Sequence, residues 1–97
     1  MSKVVEEFVD FLDERARGHI RGTAKLVIQD EGSVFLTEEG AIAGDQDAEI
    51  VLLASEDTFR AILAGNKNPT MAYMSGALKV EGNAIRALKV SDILTAS

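Results

Sequence analysis

Residues 50–54 read Ile50-Val51-Leu52-Leu53-Ala54, an apolar run bounded by Glu49 and Ser55. Successive side chains of a strand point to opposite faces, so Ile50, Leu52 and Ala54 share one face and Val51 and Leu53 the other. An antiparallel sheet with one wet side alternates apolar and polar residues. A strand that is apolar on both sides needs cover on both. The first helix, neighbouring side chains or a partner subunit can each supply the second cover.

Residues 47–94 set this strand in an ordered series. Ser55 is placed to cap a following helix, with Glu56 and Asp57 at its positive end. Phe59, Ile62 and Leu63 form that helix's inward face, and Gly65-Asn66 ends it. Pro69 starts a short helix carrying Met71, Ala72, Tyr73 and Met74, and Gly76 breaks it. Leu78 and Val80 alternate with Lys79 and Glu81 in a fifth strand. Gly82-Asn83 then turns into a final helix, with Ile85, Leu88 and Ile93 or Leu94 inward.

The first half supplies the remaining elements. Val5, Phe8, Val9 and Leu12 recur at helical spacing within residues 4–17, widened by Phe11, with Ser2 as N-cap and Gly18 as stop. Residues 19–29 alternate, with Ala24, Leu26 and Ile28 on one face. Asp30-Glu31-Gly32 is a hairpin turn, residues 33–37 a second strand with Val34 and Leu36 together, and a short third strand surrounds Ile42. The predicted fold class is α+β, a single domain over residues 1–97 with strands followed by helices.

Composition excludes several kinds of chemistry. The net charge is −6 and the basic residues are scattered, which argues against nucleic acid and against tight docking on anionic lipid. There is no apolar run near the ~20 residues of a membrane span, and residues 1–8 lack a secretory signal pattern. A cytoplasmic protein, with at most transient membrane contact, is the expectation. The chain has no Cys and one His, His19, so it offers no disulfide, thiol nucleophile or zinc ligand set. Asp45, Asp47 and Glu49 alternate, which would put three carboxylates on one strand face. They lack the EF-hand pattern and read as a charged strand edge. No catalytic residue, metal or cofactor is assigned. A core without chemistry points instead to binding in an apolar cavity.

The stretch Gly76-Ala77-Leu78-Lys79-Val80-Glu81-Gly82-Asn83 resembles the Gly-Lys-Leu-Lys-Ile-x-Gly-Asp run that precedes the last helix in the sterol carrier protein 2 (sterol-transfer domain) family. Residues 47–50, the strand-to-helix junction at residues 55–65, residues 69–74, and Ala87, Leu88 and Leu94 are similar to the family in the same order. Lys79 is kept, whereas Ala77 replaces a lysine, and Val51 and Leu53 stand where polar residues are common.

The resemblance implies a five-stranded antiparallel sheet with helices packed on one face, and an apolar tunnel between them. The tunnel would hold a sterol, fatty acid, acyl-CoA or phospholipid. Its implied lining is Phe59, Ile62, Leu63, Met71, Met74, Leu78, Ile85 and Leu88, with Leu26, Leu36 and Leu52 as floor. Burying about ten methylenes at ~0.8 kcal/mol each gives about 8 kcal/mol, or micromolar binding before ordering costs. Residues 85–94 are the expected gate. The alternative is a non-catalytic accessory or oligomerisation module supporting a lipid or isoprenoid-quinone pathway enzyme, with a homodimer through Val51 and Leu53.

Overall fold

The computed structural model describes residues 3–95, so the Ser2 cap lies outside the described residues. Helix α1 spans Lys3–Ala16 and buries Val5, Phe8, Leu12 and Ala16, one stripe three and four residues apart. Strands β1 (Ala24–Ile28), β2 (Gly32–Thr37) and β3 (Gly40–Ala43) follow, then β4 (Ile50–Ala54). Helices α2 (Glu56–Leu63) and α3 (Pro69–Ser75) lead to β5 (Lys79–Glu81) and α4 (Ala84–Thr95).

The strand order is β3-β2-β1-β4-β5. Three elements of the expectation hold: five strands, helices in this order, and helices on one face. The all-antiparallel expectation does not hold, because β1 and β4 pair in parallel, Leu26 beside Leu52 and Val27 beside Leu53. The reason lies in the chain's path. The β3 strand ends alongside Val34, at the level of Leu52, and β4 begins two residues lower, beside Ala24. Residues 44–49 must therefore carry the chain back across the sheet.

Those residues form a strap over the outer face. Asp45 accepts hydrogen bonds from Lys25 Nζ at 2.9 Å and Ser33 Oγ at 3.3 Å, and Gly44 N–H donates to the Ser33 carbonyl at 3.1 Å. At the strap's far end the Glu49 N–H donates to Thr23 Oγ1 at 2.9 Å. The three carboxylates thus do not share a strand face: Asp45 pairs with Lys25, Glu49 pairs with Arg86 at 3.1 Å, and Asp47 is exposed. Similarly, β1 starts at Ala24, not at residue 19. The intervening residues turn at Gly22, and pairing begins only where Ile50 and Leu36 are available.

The inner face carries Ala24, Leu26, Ile28, Val34, Leu36, Ala41, Ile50, Leu52 and Ala54, all buried. Against it lie the α1 stripe, Phe59 and Ile62 of α2, Ala72 of α3, and Ala87 and Leu94 of α4. Phe8 and Phe59 meet edge-to-face with centroids 6.3 Å apart, which fixes α2 against α1. Caps set the helix limits: Ser55 Oγ accepts the Thr58 N–H, and Asn68 Oδ1 accepts those of Thr70 and Met71. Gly76 ends α3 at φ 86°, a left-handed cap that turns the chain directly toward β5.

Candidate functional site

The register places Val27, Val51, Leu53, Lys79 and Glu81 on the outer face, opposite the core. The strap covers this face near Ser33 and Lys25 but not over β4 and β5. There Val27, Val51 and Leu53 join Tyr73 and Gly76 of α3's end, Leu78, and the β5 residues to line a groove of about 500 Å³. A second hollow of about 420 Å³ adjoins it through the shared Leu53, Gly76 and Lys79. It extends to Gln29, Ala54, Ser55 and Thr58. The two adjoin as one depression, apolar around Val27, Val51 and Leu53 and more polar toward Gln29, Ser55 and Thr58, each within the size range of small-molecule sites.

Its charged lining residues are Lys79 and Glu81. Lys79 is exposed and has no ion-pair partner among the described residues. Tyr73, 39% exposed, adds an amphipathic wall. Two half-buried side chains, Val51 and Leu53, are the second apolar side of the central strand, and the groove leaves them only partly covered.

A different cleft lies between α1 and α2, about 420 Å³, lined by Glu7, Phe8, Phe11, Arg60, Leu63 and Ala64. Its cation is already engaged. Arg60 pairs with Glu7 at 2.7 Å and Glu56 at 2.6 Å and lies 5.2 Å from the Phe8 ring. Those carboxylates hold the guanidinium pKa above its ordinary value, Glu7 foremost. An incoming anion would have to displace one of them. Lys79, beside the outer groove, has no ion-pair partner among the described residues.

The residues expected to line a tunnel fall into three groups. Phe59, Ile62, Leu78, Leu26, Leu36 and Leu52 are all at most 3% exposed and pack in the core. Leu63 and Leu88 are half-buried, Leu63 in the α1–α2 cleft. Met71, Met74 and Ile85 do not face inward: they are 67%, 78% and 70% exposed. The short α3 turns only Ala72 into the core, and α4 turns in Ala87, Ser91 and Leu94, which leaves Ile85 outside. Of the eleven, only Leu78 reaches the outer groove. Val27 and Lys79 were not singled out for this role by sequence. The two-sided apolar character of β4 was the signal that leads to them.

Among the described residues no cluster of three or more His, Asp or Glu could hold a metal ion, and no helix is long and apolar enough to cross a membrane.

The model of the SCP-2 sterol transfer family matches residues 7–95. The chain belongs to that family. Hydroxysteroid dehydrogenase-like protein 2 of Xenopus laevis is 32% identical to this SCP-2 domain over 100 residues, 95% of the chain. The match is only 23% of that relative's length, so the chain spans about a quarter of it. A fatty acid-binding protein of Yarrowia lipolytica is 40% identical over 48 residues, 50% of this chain and 37% of its own. Among solved structures, Sterol Carrier Protein-2 from Aedes aegypti in complex with palmitate matches with a TM-score of 0.74 at 18% identity, covering 97% of this chain and 96% of that one. The SCP-2 fold is thus shared over nearly the whole chain.

Proposed function

We propose that this domain binds a lipid with a long apolar portion and an anionic end, and carries it without chemical change. The observation that supports the reading most directly is the outer groove: an apolar floor of Val27, Val51, Leu53 and Leu78 beside Lys79, which has no ion-pair partner among the described residues, and Glu81. Desolvating an acyl chain there supplies affinity, and Lys79 orients a carboxylate or phosphate. The names of the relatives agree in class, since one is a fatty acid-binding protein and one solved neighbour holds palmitate. The inner-face residues Phe59, Ile62, Leu26, Leu36 and Leu52 become lining only if α2 parts from α1, a second volume continuous with the core. No residue is assigned a catalytic role, and a cytoplasmic setting agrees with the lack of a spanning helix among the described residues.

The test is equilibrium binding of a fluorescent fatty acid, with native mass spectrometry of the complex. Micromolar one-to-one uptake is expected, weakened in Leu53→Lys. Uptake unaffected by Leu53→Lys moves the site away from the groove, and absence of uptake by any variant overturns the reading.

A second reading has one observation in its favour. The matched segment of the dehydrogenase-like relative is a minor part of a longer protein. A domain so used acts as an accessory that docks on its neighbours or on a second copy through Val51 and Leu53. Sedimentation equilibrium distinguishes the readings: a dimer abolished by Leu53→Lys, without lipid uptake, favours the accessory role.

A further inference from the structure

Strand β5 presents two opposite charges to the groove. Lys79 stands in register with Leu53 and Glu81 with Val51, so both side chains leave the sheet on its outer face. Two residues of strand separate them, about 7 Å along the backbone. Both are exposed, and neither forms an ion pair with the other or with any other described residue. The remaining charged strand residue of that face, Lys25 beside Val51, is already engaged by Asp45 of the strap at 2.9 Å. The groove's β5 side thus carries one open cation and one open anion next to the apolar floor.

A head group with a single charge gains from one of these residues and loses to the other. The Debye length at physiological salt is about 8 Å, so a carboxylate drawn to Lys79 is still repelled by Glu81. The net charge of −6 adds no attraction for it. A lone ammonium placed on Glu81 meets the opposite difficulty at Lys79. A head group that carries both signs a few atoms apart satisfies both residues at once. The register sets its direction: the anion at Lys79, beside Leu53, and the cation at Glu81, beside Val51. The tail then leaves the anionic end and crosses the sheet over Leu53 to Val27, its neighbour on β1. That floor is a single strip, which suits one chain rather than two.

We propose that Lys79 and Glu81 together make the groove selective for a single-chain amphiphile with a zwitterionic head, a phosphate followed by a quaternary ammonium, over a free fatty acid of the same chain length. This rests on the carrier reading of the groove and narrows it: the anionic end held by Lys79 is one half of a dipolar head, and Glu81 holds the other half. Glu81 is then a specificity residue. It lowers affinity for a free carboxylate and raises affinity for the zwitterion, the repulsive and attractive halves of one discrimination.

The experiment is calorimetric titration of the full chain with dodecylphosphocholine, dodecanoate and dodecyltrimethylammonium, each below its micelle concentration. The three share a tail and differ in the head. Dodecylphosphocholine is expected to bind about three- to tenfold more tightly than either singly charged analogue, by a margin that shrinks as salt rises. Glu81→Lys should reverse the order and put dodecanoate first, and Lys79→Glu should put dodecyltrimethylammonium first. The double exchange, Lys79→Glu with Glu81→Lys, restores both signs and should restore the preference for the zwitterion. Both positions are exposed, so thermal melts of the variants should match the parent. Dodecanoate binding tightest to the parent, or one order of affinities in all four proteins, overturns the proposal and leaves the carrier reading standing. Binding of none of the three by any of the proteins overturns both.

Discussion

Asp13 on α1 and Ala41 on β3 stand 28 residues apart in sequence and are joined by a 2.9 Å hydrogen bond, the Ala41 N–H donating to Asp13 Oδ1. The other carboxylate oxygen pairs with Arg17 at 2.5 Å. One side chain thereby ties the first helix to the edge strand and satisfies a partly buried backbone donor.

Removing that acceptor strands the donor. Asp13→Ala is expected to lower unfolding free energy by about 1–3 kcal/mol, and Asp13→Asn, which keeps an acceptor, by less. Urea denaturation measures both. Equal losses would show that the charge pair with Arg17, not the Ala41 bond, carries the effect.

Leu52 and Leu53 are neighbours with opposite duties. Leu52 is 1% exposed on the core side, and Leu53 lies half-buried in the outer groove. Leu52→Ala should cost about 2–5 kcal/mol of stability. Leu53→Ala should cost about 1 kcal/mol and weaken fatty acid binding. Denaturation and fluorescence titration on the same pair separate scaffold from site; similar behaviour of the two would refute the division.

Among the described residues that line the groove Lys79 is the one cation, beside Glu81, and it is solvent-exposed, so its contribution is limited. Lys79→Gln should weaken binding of a fatty acid by at most about fivefold and leave binding of the corresponding neutral alcohol unchanged. A parallel titration of the two ligands checks this, and equal losses for both would make Lys79 a packing residue only.

The strap gives a pH signature. The hydrogen bond and charge of Lys25, aided by Ser33, hold Asp45 below the ordinary carboxylate range. A depressed folded pKa stabilises the fold above the unfolded value and loses that contribution as pH falls through the folded one. Lys25→Met should return the Asp45 titration toward the ordinary range. NMR titration of its carboxyl resonance reads the change, and an unmoved titration would assign the depression elsewhere.

Two glycines with left-handed backbones differ in what surrounds them. A Cβ at Gly76, φ 86°, meets open space, whereas one at Gly82, φ 96°, collides with the Glu49 carbonyl oxygen. Gly76→Ala should cost about 1–2 kcal/mol from backbone strain alone, and Gly82→Ala distinctly more. Thermal melts order the pair, and the reverse order would contradict the close approach.

Much of this architecture is written locally. Val5, Phe8 and Leu12 mark α1 by spacing, and Ser55, Pro69 and Gly76 mark helix limits through caps whose chemistry is short-range. The parallel β1–β4 pair is not written that way. Alternation in Leu26 and Leu52 fixes which side faces the core but not which strand lies alongside, and that depends on the path of residues 44–49. The site was half legible for the same reason. Val51 and Leu53 announced a second apolar face, but only the assembled sheet sets them beside Tyr73 and Lys79. Met71 and Met74 misled because α3 is seven residues long and docks through Ala72, whose small side chain lets the helix sit close and leaves its larger ones outside.

The parallel seam between β1 and β4 has a kinetic consequence. Strands β1, β2 and β3 form a meander of near neighbours, each able to pair as soon as it is made. Strand β4 must instead find β1 after the intervening chain has doubled back, a non-local closure of the kind that slows folding. Local pairing thus favours the meander as the first part of the sheet to form, with the β4 side, where Leu52 lies beside Leu26, carrying the larger closure cost.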